Sequence, residues 1–206
     1  MALSASAERI AVFAADVGSR KKFGWASAPG DQCGNSIGEL AKAMVRMGRD
    51  GFRISLGFEC PLSIPCPGTE MGLGKQREGE KGKPWSAGAG ANAAILGMQQ
   101  LCWLLRRLGR SLDGDKRATI DWGRFQTGRF KLFLWEAFIT GSAKTDSDID
   151  DARKAVQTFV YTLPDPRAAN AVTCKKPVSI AGMALLWSGW SRDLTLLRKT
   201  VLVLKP

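Results

Sequence analysis

Two carboxylates stand at the ends of apolar segments that the sequence predicts to be strands. Asp16 closes the run RIAVFAAD, and Glu59 closes FRISLGFE. Because the ends of adjacent strands in an α/β sheet meet at one crevice, acids from different strands can converge there. Crowded carboxylates repel one another unless a cation lies among them, and Mg²⁺ or Mn²⁺ prefers oxygen ligands. The pattern predicts a divalent metal site that contains Asp16 and Glu59.

A second pair of acids opens a predicted helix, in the segment DIDDA. At about 100° per residue, Asp148 falls at the margin of the apolar face and Asp151 lies next to it, whereas Asp150 points elsewhere. We therefore expect Asp148 and Asp151 to face the edge of the sheet and to serve as metal ligands. Glu136, inside the apolar segment RFKLFLWEAFI, either pairs with Arg129 or Lys131 or adds a further ligand.

The chain contains no histidine, which excludes Ser/His, Cys/His and His-metal mechanisms within it. Hydrolysis here would need carboxylates, a metal ion, or both. Two Mg²⁺ or Mn²⁺ ions about 3.5–4 Å apart activate water and stabilise the leaving oxygen in phosphodiester cleavage. Such chemistry requires no side-chain base with a pKa near neutrality.

Strands that alternate with helices must position these acids. Residues 9–15 predict a strand, the segment FGWASA predicts its hairpin partner, and a capping box at Ser36 and Glu39 starts a helix. No third strand is clear between residues 29 and 35. Later elements are predicted as strands at 52–59, 129–139, SIAGMALLW and TVLVLKP, and as helices at 91–108 and 146–163. This alternation favours an α/β layered domain.

The order of these motifs resembles the RNase H-like superfamily, in particular its Holliday-junction-resolvase branch and related uncharacterised families. The matching motifs are AADVG on the first strand, GFE at the end of a later strand, and the D-x-x-D-A pattern at 148–152. The resemblance implies a mixed central sheet of about five strands flanked by helices. It also implies two Mg²⁺ ions held by acids in the positions of Asp16, Glu59, Asp148 and Asp151; Glu136 has no fixed role in that family.

A Gly/Pro-rich basic insertion at about 61–90 interrupts what we expect to be a single domain spanning residues 1–206. It is predicted to be an exposed loop, because it carries several glycines and prolines and few apolar residues. Its cations are read either as a solvated charge run or as contacts to nucleic acid, and Trp85 either stacks on a base or packs the loop down. The predicted nucleic-acid contacts are Arg20, Lys21, Lys22, Lys75, Arg77, Lys81, Lys83 and Trp85.

Composition favours a polyanionic partner. Lys and Arg outnumber Asp and Glu by 30 to 19, for a net charge of +11, and nucleic acid is the commonest such partner. The chain has five cysteines, an odd number, and no C-x-x-C motif. We therefore expect reduced cysteines in a cytoplasmic protein. The short apolar run at 10–15 ends in Asp16, and the most apolar helix candidate is broken by Gln99 and Gln100, so neither a secretory signal nor a membrane span is predicted.

Three functions remain open from the sequence. The first is a divalent-metal-dependent nuclease that acts on structured or double-stranded nucleic acid. The second is a non-catalytic protein of the same fold that binds nucleic acid or serves as a subunit of a larger complex. A homodimer is open for either function. The third is an actin-like nucleotide-binding protein, because DVGS after a strand also resembles the first phosphate loop of those folds. Each acid taken alone also has an ordinary structural explanation, such as a turn or a helix start.

Overall fold

The structure is a computed structural model that describes residues 9–19, 21–82, 84–112 and 117–206. Arg20 and Lys83, two of the predicted nucleic-acid contacts, lie outside the described residues. The strands are β1 (Ile10–Asp16), β2 (Gly24–Ala28), β3 (Cys33–Gly34), β4 (Arg53–Glu59), β5 (Ser63–Pro65), β6 (Ala118–Thr119), β7 (Leu132–Ala137), β8 (Pro177–Ser179) and β9 (Val203–Leu204). The α-helices are α1 (Ile37–Arg49), α2 (Gly88–Ser111), α3 (Trp122–Gln126), α4 (Asp148–Tyr161) and α5 (Ile180–Trp187).

The described residues form a mixed sheet of seven strands flanked by helices. Its order is β3-β2-β1-β4-β7-β6, and β9 pairs with β7 on the same side as β6. β1, β2 and β3 are antiparallel neighbours, whereas β1, β4 and β7 run parallel. The prediction of an α/β protein with a mixed sheet is confirmed. The predicted number of about five strands is too small, because β3, β6 and β9 are two residues long and carry no alternation.

The central strands are buried on both faces, as parallel strands usually are. In β1, Ala11, Phe13 and Ala15 pack on one side with α1, α2 and α5. Val12 and Ala14 pack on the other side with α3 and α4. This alternation decides which side chains of each strand can meet α4.

Side-chain caps fix where the helices near the predicted site begin. Ser36 caps α1, and its hydroxyl accepts a hydrogen bond from the backbone N–H of Gly38. Ser147 caps α4 in the same way by accepting from Asp150. The first turn of α4 is acidic, which suits the positive end of the helix dipole. Both helices therefore start within two residues of the predicted positions.

The segment SIAGMALLW is helical and not the predicted strand. It forms α5, which Ser179 caps by accepting from the N–H of Gly182. α5 packs against α2, and Ala181, Ala184 and Leu185 are fully buried. A short run that is apolar on every side has no period, so it cannot distinguish a buried strand from a buried helix. In TVLVLKP, only Val203–Leu204 forms a strand.

Part of the insertion is tied into the fold, which contradicts the prediction of a loop exposed throughout. β5 pairs with β8 in a small antiparallel sheet, and Glu78 bridges to Thr173. Arg77, predicted to be an exposed cation, is only 2 % exposed, and Glu80 is equally buried. The cause is an acidic partner inside the protein, described below. Lys75 and Lys81 are exposed, as predicted.

All five cysteines are free thiols. Among the described residues, no helix has the length and apolar character needed to cross a bilayer.

Candidate metal centre

Strand register brings the first two acids together. β1 and β4 are parallel neighbours, and Asp16 lies directly beside Glu59 at their carboxyl ends. Adjacent strands are about 4.8 Å apart, and paired residues point to the same face. Alternate residues of a strand point to the same face, so Asp16 lies on the face of Val12 and Ala14, which α4 covers. Glu59, as the strand partner of Asp16, lies on that face as well. The sequence-based prediction that these strand ends converge is confirmed.

The third acid, Asp151, lies on α4, and a glycine in β2 allows this helix to approach the strand ends. Gly24 of β2 lies opposite Asp16, and a side chain at Gly24 would overlap the backbone of Asp148 at the start of α4. This close approach places Asp151, which is fully buried, over the strand ends. One carboxylate oxygen from each of Asp16, Glu59 and Asp151 lies within 4.8 Å of the others, a geometry that could hold a metal ion. We call these three residues the acid triad.

Lys144 occupies the centre of the acid triad, and the sequence reasoning missed it. Its Nζ lies 3.0 Å from Asp16 Oδ2, 3.0 Å from Glu59 Oε1 and 2.8 Å from Asp151 Oδ2. Lys154 of α4 donates a hydrogen bond to the carbonyl of Ala143 and so holds the neighbouring chain against the helix. The Lys144 side chain remains 44 % exposed. The only signal in the sequence was a cation just before the acidic start of a helix, which is a common arrangement.

The environment keeps Asp151 ionised. Burial acts to raise its pKa, but the contact with Lys144 and two hydrogen bonds from Thr145 outweigh burial, so the pKa of Asp151 lies below its ordinary value. The Thr145 backbone N–H and hydroxyl both donate to Asp151 Oδ1, at 2.7 and 2.9 Å. Asp151 therefore offers its other oxygen, Oδ2, as a fixed negative charge.

The two strand acids are in the opposite situation. Burial raises the pKa of Glu59 to about 9, and the charge of Asp16 adds to this effect. Burial also raises the pKa of Asp16, although Lys144 opposes the shift. Within the described residues, Glu59 Oε2 is buried and has no hydrogen-bond partner. When all three carboxylates are ionised, the single ammonium of Lys144 leaves the acid triad with a net negative charge, and a divalent ion that prefers oxygen ligands fits the donor set.

Asp148, the fourth predicted ligand, lies beside the acid triad and not within it. Gly24, the strand partner of Asp16, lies against the backbone of Asp148. Burial raises the pKa of Asp16, and the charge of Asp148 adds to this shift. The side chain of Asp148 is partly exposed, whereas that of Asp151 is buried.

Glu136 does not join the acid triad. Along β7 it alternates in step with Leu132 and Leu134, so it points to the face of the sheet opposite α4. Both of its oxygens accept hydrogen bonds from the Arg77 guanidinium, at 2.6 and 2.8 Å, and the N–H of Leu62 donates to it as well. Burial raises the pKa of Glu136, and Arg77 offsets the shift only in part. The structure shows the alternative of a structural ion pair, but the partner is Arg77 and not the predicted Arg129 or Lys131.

The Arg77 ion pair also builds one wall of a cleft beside the acid triad. Arg77 donates to Glu80 through its backbone N–H and its Nε, at 2.6 and 2.9 Å. Glu80 in turn accepts from the N–H of Trp85 at 3.0 Å, and the Trp85 indole donates to the carbonyl of Lys75 at 3.0 Å. These hydrogen bonds hold Trp85 within the insertion, and its side chain is partly exposed, so stacking on a base stays a prediction.

The cleft has a volume of about 380 Å³. Asp16, Glu59 and Lys144 line its polar end, and Trp85 and Phe138 lie among its apolar wall residues. Other predicted contacts lie on the surface: Lys21, Lys22, Lys75 and Lys81 are all exposed.

Comparisons of the chain with protein-family models, with curated proteins and with solved structures find no match. The chemistry of the site is therefore read from the side chains that form it.

Proposed function

We propose that this protein is a divalent-metal-dependent nuclease with an RNase H-like core, acting on structured or double-stranded nucleic acid. The observation that carries the proposal is the acid triad: Asp16, Glu59 and Asp151 come from two parallel strands and a helix, yet their oxygens lie within 4.8 Å of one another. A triad of buried carboxylates is unfavourable unless a cation binds to it, so the arrangement is typical of a metal site.

The topology supports the RNase H-like part of the proposal. The family resemblance implies an opening meander, a following strand that ends in Glu, and a late helix with two acids three residues apart. The chain has an antiparallel β1-β2-β3 meander, then β4, parallel to β1 and ending in Glu59. α4 carries Asp148 and Asp151 against β1 and β2.

Asp16, Glu59 and Asp151 would hold Mg²⁺ or Mn²⁺. Such an ion, when bound, polarises a phosphodiester and supplies hydroxide from water at neutral pH. Thr145 orients Asp151 for this role by donating two hydrogen bonds to Oδ1. Lys144 balances part of the charge of the three acids, and its ammonium would have to leave its position between them for these acids to hold an ion.

The surface charge supports a polyanionic substrate. The chain carries a net charge of +11, and Lys21 and Lys22 lie five and six residues after Asp16, in the turn between β1 and β2. Each phosphate that a lysine neutralises releases counterions, so we expect binding to weaken steeply as salt is raised.

Cleavage assays with matched variants test the proposal. The substrates would be a four-way DNA junction, duplex DNA, single-stranded DNA and duplex RNA, each in Mg²⁺, Mn²⁺ or EDTA. We expect cleavage with metal only, and at least about a hundredfold loss of activity in Asp16→Asn and in Asp151→Asn. Asp150→Asn is the control, because Asp150 is on the same helix but is exposed and paired with Arg153. Metal-dependent activity that survives in Asp16→Asn and Asp151→Asn would refute the assignment.

A non-catalytic nucleic-acid-binding protein is the second candidate, and Lys144 is the observation that favours it. An ammonium 3.0 Å or less from all three acids could serve as a permanent substitute for the metal ion. This candidate predicts salt-sensitive binding of the same substrates, no cleavage, and no effect of Mn²⁺ on the melting temperature. Robust turnover would exclude it.

A further inference from the structure

A groove between α2 and α5 exposes several large apolar side chains. Its volume is about 680 Å³, and its apolar lining includes Met98, Cys102, Trp103, Met183 and Trp187. Trp103 is 48 % exposed and Trp187 is 62 % exposed. Contiguous apolar surface of this kind on a folded protein usually marks a site of interaction. The groove is distinct from the cleft beside the acid triad, since the two share no lining residue.

The groove is apolar at one end and cationic at the other. Met98, Cys102, Arg106 and Arg110 follow one another at four-residue spacing, so they form a single stripe along α2. The stripe covers about 18 Å at 1.5 Å per residue. The Arg106 guanidinium lies 5.2 Å from the centroid of the Trp187 ring and joins the cationic end to the apolar wall. Neither α2 nor α5 contains an Asp or Glu residue, so no acid within these helices neutralises the arginines.

The distribution of charge does not suit a nucleic-acid strand. Each strand of a duplex places a phosphate about every 3.4 Å along the helix axis, so about five phosphates of one strand would lie along the stripe. The three cations that line the groove, Arg106, Arg107 and Arg110, lie together at one end, within a span of about 6 Å. The rest of the stripe would face most of those phosphates with Met98 and Cys102, which supply no counter-charge.

We infer that the groove binds an amphipathic helix of a protein partner, about three to four turns long, with large apolar residues along one face and acidic residues at one end. The length follows from the 18 Å stripe, the apolar face from the methionines and tryptophans, and the acidic end from Arg106 and Arg110. Apolar grooves recognise helices through side chains spaced by three or four residues, and Met-rich walls adapt to them. Charge complementarity sets the orientation of the helix and selects the partner. This inference does not depend on the proposed nuclease activity.

Selection from a peptide library tests the inference. The probe is a displayed library of 18-residue helical peptides with randomised positions, selected on the full-length protein and counter-selected on Trp187→Ala. We expect the enriched peptides to share an apolar face and a cluster of Asp or Glu at one end. Trp187 is largely exposed, so its replacement should leave the fold intact; Leu194→Ala, which removes an apolar side chain 70 % exposed outside the groove, is the matched control.

Binding of an enriched peptide, measured by fluorescence anisotropy, should weaken at least about tenfold in Trp187→Ala and in Arg106→Glu/Arg110→Glu. It should be unchanged in Leu194→Ala and in Arg129→Glu/Arg192→Glu, which makes the same charge change at exposed positions elsewhere. Enrichment without an acidic bias, or no enrichment over Trp187→Ala, would overturn the inference. Displacement of the peptide by oligothymidine, or a homodimer in sedimentation that Trp187→Ala abolishes, would assign the groove to another occupant and overturn it as well.

Discussion

Replacing Lys144 with methionine tests whether this side chain stands in the place of a metal ion. Methionine keeps most of the apolar stem and removes the charge, so the acid triad loses its cation with little change in packing. Two unit charges 4 Å apart interact by about 4 kcal/mol at an effective dielectric constant of 20. Lys144 is 44 % exposed, however, so solvent screening and desolvation reduce the net contribution of its ion pairs to about 1–2 kcal/mol.

For a chain of this length, 1 kcal/mol shifts the melting temperature by about 2–4 °C. In EDTA we therefore expect Lys144→Met to melt about 2–8 °C below wild type. Lys144→Met should nevertheless be stabilised at lower Mn²⁺ concentrations than wild type, because the variant has no ammonium between the three acids. A displacement cost of about 1–2 kcal/mol corresponds to half-saturation at about 5- to 30-fold lower Mn²⁺.

The assay is a thermal melt followed by circular dichroism in EDTA and across a Mn²⁺ titration. Lys42→Met, at an exposed position on α1, is the matched control and should follow wild type throughout. A Mn²⁺ concentration of 100 times the dissociation constant adds about 2.7 kcal/mol to the stability, which is easily detected. The reasoning is refuted if Lys144→Met has the melting temperature of wild type in EDTA and needs the same Mn²⁺ concentration for half-saturation.

Three further variants test how the site is built. Gly24→Ala should weaken the stabilisation by Mn²⁺, because the new methyl group overlaps the start of α4; Gly38→Ala, where it makes only an ordinary contact with Ser36, should not. Arg77→Met should lower the free energy of unfolding in urea by about 3–5 kcal/mol, because it leaves Glu136 and Glu80 buried without their shared cation. Arg77→Met/Glu136→Leu should recover the part of that loss that comes from Glu136, and equal stability of the two variants would contradict the ion pair between Arg77 and Glu136. Burial raises the pKa of Glu59 to about 9, so the folded state keeps a proton on Glu59 at pH values where the unfolded chain has released it. In EDTA, the melting temperature should therefore fall as the pH rises towards 9. Glu59→Gln should flatten this dependence, and an unchanged slope would show that another group causes it.

The sequence predicted the two strand acids well because their positions follow from simple geometry. Apolar runs ending in Asp16 and Glu59 became parallel neighbours, and the D-x-x-D pattern opened a helix on the same face. Glu136 shows the limit of that reasoning. It lies on a neighbouring strand, but its parity points it to the opposite face, and parity depends on strand register, which the sequence leaves open.

Long-range contacts account for the other differences. The pairing of Arg77 with Glu136 joins residues 59 positions apart, so the basic insertion read as a solvated loop. Lys144 reaches an acid 128 positions earlier in the chain, through a contact that no local pattern encodes. The helical state of α5 was hidden for a different reason, because its apolar residues cover every side and show no period.

The most direct test of the metal centre is anomalous diffraction from crystals soaked in Mn²⁺. We predict an anomalous peak within coordination distance of carboxylate oxygens from Asp16, Glu59 and Asp151, with the Lys144 ammonium displaced from among them. A map with no anomalous peak there, and with Lys144 Nζ still in contact with all three acids, would contradict the account.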